Sequence, residues 1–146
     1  MSERLDISVA APEGYRAVAA VERYVRGRVD STILGLVKLR ASILNQCAFC
    51  VDMHSREMLA SGETPRRAFA VAAWRDSPFF TERERAALAL TDAATQLTAQ
   101  GVPDDVWDGA AKVFAEGELA DLVLAIATIN TWNRIAIPTR KHLPTD

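Results

Sequence analysis

Apolar residues recur at three- and four-residue intervals along almost the whole chain, and each run is bounded by glycine, proline or a short polar side chain. No stretch alternates apolar and polar residues for long. That spacing is the mark of amphipathic helices rather than strands, so the chain is expected to be all-α with about seven helices. Pro12 suits a first helical position, and Tyr15, Val18, Ala19, Val21, Tyr24 and Val25 give an apolar face that runs out near Gly27. Asp30 or Ser31 can cap a second helix carrying Ile33, Leu34, Val37, Leu39, Ile43 and Leu44. A third is expected after Asn45, to be closed near Gly62, and Thr64-Pro65 opens a fourth through Trp74. Thr81-Glu82-Arg83-Glu84 has the form of a capping box and starts a fifth. After Gly101-Val102-Pro103, a sixth carries Val106, Trp107, Ala110, Val113 and Phe114 up to Gly117. The last should run from about Glu118 to the residue before Pro138.

A chain of 146 residues is of single-domain size and buries roughly 68–70% of its unfolded surface on folding, enough to need no metal or disulfide staple. No apolar run reaches the roughly 18 residues of a membrane span. The net charge is −2, and Lys/Arg clusters do not extend beyond Arg66-Arg67 and Arg140-Lys141, which speaks against a nucleic-acid partner. Met1 to Asp6 is charged and carries no apolar signal segment, so a cytoplasmic, reducing location is the expectation.

Chemistry is concentrated in Asn45-Gln46-Cys47-Ala48-Phe49-Cys50-Val51-Asp52-Met53-His54, which holds both cysteines and one of the two histidines. If the stretch is helical from Gln46, Cys47 and Cys50 lie about 60° apart around the axis and His54 about 40° from Cys50, so all three share one stripe. Asn45 is a good N-cap type. Both thiols then fall in the first turns of a helix, where free N–H groups and the macrodipole favour a thiolate. In a reducing compartment so close a pair is seldom a structural disulfide, which leaves redox or metal use.

Several longer patterns point to one family. Leu36-Val37-Lys38-Leu39-Arg40-Ala41-Ser42, the Asn45-x-Cys47-Ala48-Phe49-Cys50-x-Asp52-Met53-His54 run, Trp74-Arg75-x-Ser77-Pro78-Phe79-Phe80 followed by Thr81 to Leu88, and Ile126 to Arg134 together resemble the alkylhydroperoxidase-like (AhpD-like) branch of the carboxymuconolactone decarboxylase superfamily. The resemblance covers nearly the whole chain. It implies an all-helical protomer in a symmetric homo-oligomer, a trimer or hexamer, and a cysteine pair that reduces hydroperoxides at the expense of a dithiol or protein-thiol reductant, with no cofactor. Cys50 matches the peroxidatic cysteine, oxidised to a sulfenic acid, Cys47 the resolving cysteine that closes a disulfide, and His54 the relay histidine. The family's relay glutamate falls at Gly35, and Glu57, three residues after His54 on the same helix, is a candidate replacement.

Other readings of the same residues can be weighed. A zinc site normally needs four ligands, and only His54, His142 and carboxylates remain beside the thiols. Haem attachment fails because Val51 follows Cys50. A decarboxylase of the superfamily's founding type has no need of a Cys-x-x-Cys pair, and a redox-sensing or scaffold protein is the non-enzymatic alternative. Trp132, Asn133 and Arg134 are expected at a subunit interface or core edge, and Tyr15, Tyr24 and Trp107 in core or interface rather than against substrate.

Overall fold

The computed structural model describes residues 1–145. Eight α-helices are present among them: α1 (Ile7–Ala10), α2 (Pro12–Arg28), α3 (Ser31–Leu44), α4 (Ala48–Ala60), α5 (Pro65–Ala70), α6 (Glu82–Thr95), α7 (Asp104–Val113) and α8 (Glu116–Thr139), with a 3₁₀ turn at Val71–Ala73. The fold is all-α. Among the described residues, extended pairing is limited to a Thr98–Gly101 bridge in the loop before α7. No described helix is long and apolar enough to cross a membrane.

The bundle is built around α3, which packs against α4, α6 and α8. Its sequence Ile33-Leu34-Gly35-Leu36-Val37-Lys38-Leu39 is apolar almost all round, as a helix with neighbours on several sides must be. Ile33, Val37 and Ala41 face a cluster with Ala87 and Leu90 of α6, Ala110 of α7, and Leu122, Ile126 and Ile129 of α8. Leu36 and Leu39 face a second cluster with Met58 of α4, Val71, Trp74 and Leu88. Together these burials position α4, which carries both Cys50 and His54.

Local signals set most boundaries. The Asp30 carboxylate accepts the N–H groups of Thr32 and Ile33, each at 3.1 Å. Thr81 and Glu84 close the capping box, at 3.2 and 2.9 Å. Past the end of α4, Gly62 adopts φ +97°, and the N–H groups of Gly62 and Glu63 reach the carbonyls of Leu59 and Met58. That is the Schellman arrangement, and it places glycine where a side chain is disfavoured.

Other ends differ from the sequence reading. The short α1 was not expected. Gly117 does not end α7: the Glu118 carboxylate accepts the Ala115 N–H at 2.9 Å, so α8 has begun by Glu116, with Gly117 in its first turn. Pro138 does not stop α8 either, because a proline in the final turn forfeits one hydrogen bond only. The helix ends two residues later, at left-handed Arg140.

Candidate active site

The reactive stretch begins at a sharp corner between α3 and α4. Asn45 does not cap α4; it lies at the C-terminal end of α3 with helical φ and ψ. Its amide instead donates to the side-chain oxygens of Asn130 (2.9 Å) and Asn133 (2.8 Å) on α8. Gln46 follows in the left-handed region at φ 56°, and its N–H reaches the Ile43 carbonyl. The chain then turns into extended Cys47, and this residue is the N-cap: its Sγ accepts the Cys50 N–H at 3.3 Å. Fully buried Asn133 also donates to Ser42 Oγ at 3.1 Å, fastening the corner to α8 from both sides.

Cys47 and Cys50 are joined as a disulfide with their Cα atoms 5.3 Å apart, and each is only 2% exposed. One turn on, His54 is buried as well. Its Nδ1 lies 3.0 Å from Glu57 Oε2, while its Nε2 is buried without a hydrogen-bond partner. The His54 hydrogen bond, with help from the His54 and Arg26 charges, holds the Glu57 carboxyl down to about 2 against the opposing effect of burial. An ionised carboxylate can only accept, so Nδ1 carries the proton, and in the neutral ring Nε2 presents its lone pair.

Three charged residues join this constellation that the sequence reading passed over. Arg26 on α2 donates to Glu57 at 3.2 Å and to Glu22 at 2.8 Å. Glu22 also accepts from Lys38 Nζ and, through its other oxygen, from Trp132 Nε1 at 3.3 Å. Burial alone would raise the Glu22 carboxyl, but Lys38 and Arg26 outweigh it and bring it below its usual range. Burial lowers the Lys38 amine. One sequence signal for this cluster existed, a lysine inside an otherwise apolar helix, because such a charge must find a partner.

Gly35, the position at which the resemblance leads one to expect a glutamate, faces Met58 of α4. A Cβ built there would lie 3.0 Å from Met58 Cγ, so any side chain at this position must first displace Met58.

His54 and Arg26 separate two cavities. One, of about 240 Å³, reaches Cys50 and is walled mainly by apolar side chains, among them Phe49, Met53, Trp132 and Ile135. The other, of about 330 Å³, is bordered by polar groups including Lys38, Glu57, Ser31 and Thr32. Of the core and the interface, the two places expected for Tyr15, the core of the protomer is not where it lies: it is 37% exposed, lines the Cys50 cavity and meets the Trp132 ring edge-on at 5.4 Å. Tyr24 and Trp107 are exposed too, the Tyr24 hydroxyl donating to Asp121 at 2.8 Å. Arg134 lies on the surface of α8, bonded to the Asn130 side chain at 2.8 Å. Among the described residues no group of three or more His, Cys, Asp or Glu side chains could hold a metal ion.

Residues 10–93, which include the corner, both cysteines and His54, match the model of the carboxymuconolactone decarboxylase family. The chain belongs to the carboxymuconolactone decarboxylase family. The chain is 37% identical over 138 residues, 94% of each chain, to the uncharacterised protein YdfG of Bacillus subtilis. To the uncharacterised YnjA of Escherichia coli it is 32% identical over 105 residues, covering 72% of this chain and 57% of YnjA. The crystal structure of ATU0492 from Agrobacterium tumefaciens, a protein of unknown function and a candidate antioxidant defence protein AhpD, superposes with a TM-score of 0.95 at 40% identity, covering 99% of this chain and 100% of the other. The AhpD-like branch is therefore the part of the family to which the chain is assigned.

Proposed function

We propose that this protein is a cofactor-free thiol peroxidase that reduces hydroperoxides through Cys50, Cys47 and His54. The observation that carries the reading is a cysteine pair able to close a disulfide, with Cys50 at an apolar cavity that is also lined by His54, whose buried Nε2 has no hydrogen-bond partner. In the reduced protein, His54 Nε2 accepts the Cys50 proton and favours the thiolate. The Cys50 thiolate attacks the terminal oxygen of ROOH, the O–O bond breaks, and the alkoxide takes a proton from His54 to leave as ROH. Cys50 is then a sulfenic acid, and the Cys47 thiol condenses with it to form the disulfide and water. A dithiol or protein-thiol reductant returns the two electrons and is itself oxidised to a disulfide.

An apolar cavity of about 150 Å³ accommodates benzene, so the larger one here has room for a ring with a short substituent. That favours compact organic hydroperoxides over hydrogen peroxide. Glu57 supports the cycle by fixing the His54 tautomer from the far side. The working form is a closed homo-oligomer in a reducing cytoplasm.

The deciding experiment measures consumption of cumene hydroperoxide with dithiothreitol as reductant, in wild type and Cys50→Ser. Turnover in the wild type and none in the variant is expected. A disulfide that opens and closes with no peroxide turnover would instead make the protein a redox sensor.

A further inference from the structure

Residues 3–7 are not used by that chemistry, yet they border the cavity that reaches Cys50. Leu5 and Ile7 form part of the wall of the cavity that reaches Cys50. The segment is held down by few contacts: the Arg4 N–H donates to the Thr139 carbonyl at 2.8 Å, the Arg4 guanidinium to the Pro138 carbonyl at 3.3 Å, and Lys141 lies 3.6 Å from Glu3. The four-residue α1, which begins at Ile7, buries no residue. A segment with so few buried contacts opens at far lower free energy than the core. Within the same cavity wall, Cys50 is 2% exposed.

We infer that residues 3–7 act as a specificity strap, leaving the Cys50 cavity to compact apolar hydroperoxides and low-molecular-weight thiols and keeping a protein dithiol from the Cys47–Cys50 disulfide until the strap lifts. The inference rests on the redox reading above. Reduction begins when a thiolate attacks one sulfur of the pair, forming a mixed disulfide and releasing the other sulfur as a thiolate. The second thiol of the reductant then displaces the mixed disulfide, so a dithiol supplies two electrons and leaves as a disulfide. Attack requires a sulfur to reach the S–S bond. A dithiothreitol-sized molecule fits through the cavity, whereas a thiol mounted on a protein surface cannot follow it past Leu5 and Ile7.

Arg4→Pro removes both the anchoring N–H and the guanidinium while leaving the core untouched. Oxidised wild type and variant are each reduced by dithiothreitol and by a thioredoxin-type protein dithiol, with thiol titration as the readout. The variant is expected to raise the rate with the protein dithiol at least about tenfold, as a cheaper local opening requires, and to change the dithiothreitol rate less than about twofold. As a second variant, Leu5→Trp crowds the cavity from an already half-exposed position. It should lower kcat/KM for cumene hydroperoxide relative to hydrogen peroxide by about fivefold or more, a discrimination ordinary for steric fit. An unchanged ratio of the two reduction rates in Arg4→Pro, or an unchanged substrate ratio in Leu5→Trp, overturns the strap. If neither reductant opens the disulfide in either protein, the redox reading falls and takes the strap with it. If the disulfide cycles but the wild type consumes no hydroperoxide, the peroxidase reading alone fails, and the reduction ratio still decides the strap.

Discussion

Replacing Gly35 by alanine separates two opposing effects at the α3–α4 contact. In an exposed helix the change would stabilise by about 1 kcal/mol through propensity. Here the new Cβ would meet Met58 Cγ at 3.0 Å, inside the roughly 3.5–4.0 Å at which carbon atoms pack. Met58 is 4% exposed and belongs to the cluster of Leu36, Val71 and Leu88, whose packing resists its displacement although it also borders the polar cavity. Overpacking of this kind costs roughly 1–3 kcal/mol. Steric cost therefore exceeds propensity, and Gly35→Ala is expected to destabilise by about 1 kcal/mol. Met58→Ala alone should cost roughly 2–5 kcal/mol as a cavity. In that background the clash is gone, and Gly35→Ala should stabilise by about 1 kcal/mol, for a coupling of about 2 kcal/mol. Urea unfolding followed by helical circular dichroism, with an unchanged m-value, measures all four corners of the cycle. Additivity to within about 0.5 kcal/mol would refute the argument. So would a Gly35→Ala protein more stable than wild type. By the same packing, Gly35→Glu should destabilise further and should not raise peroxide turnover, and a gain of about 10²-fold, the lower end for general acid–base catalysis, would show that Met58 yields.

Asn133→Ala removes one of the two acceptors of the Asn45 amide and the donor to Ser42 Oγ, leaving Asn130 and the Lys38 carbonyl as their remaining partners, and the two lost hydrogen bonds should cost roughly 1–3 kcal/mol in urea unfolding; a loss below about 0.5 kcal/mol would mean that the corner holds without it. Glu57 titrates near 2 when folded against an ordinary 4.5, so its contribution to stability is complete above that ordinary value and is lost as pH falls toward 2. Glu57→Gln should therefore flatten the stability profile between about pH 5 and pH 2, and superimposable wild-type and variant curves would contradict this. Light scattering should return a closed homo-oligomer whose mass does not vary with dilution, and a monomer at every concentration would remove the assembly proposal.

Helix identity was largely legible because caps and apolar spacing act locally: the Thr81–Glu84 box, Pro12 and Pro65 all work within one turn of their own positions. Asn45 misled because a distant helix competes for its side chain. Asn130 and Asn133 lie more than eighty residues away, and no local rule reports that they converge on Asn45. The same divide runs through the candidate site. The placement of Cys50 and His54 on one side of α4, and the His54–Glu57 contact, follow from spacing alone. Arg26 and Glu22 enter through the packing of α2 on the bundle, and the glycine at position 35 becomes intelligible only once Met58 is known to face it.

Of the seventeen residues of α2, Val25 alone is buried, yet this helix supplies Tyr15, Glu22 and Arg26 to the walls around the cysteines. It is clasped to the bundle by the small cluster of Val25 with Leu34 and Ala125 and by polar links, from Glu22 to Lys38 and Trp132 and from Tyr24 to Asp121. A helix attached in this way behaves as a separate foldon: its amides exchange with solvent through an opening well below the global unfolding free energy, while α3, α6 and α8 stay closed. Acid that protonates Glu22 weakens the clasp without touching the hydrophobic clusters. The redox pair is thus less durable in its shielding than in its fold, and it is uncovered under conditions in which far-ultraviolet circular dichroism still reports a nearly intact helical bundle.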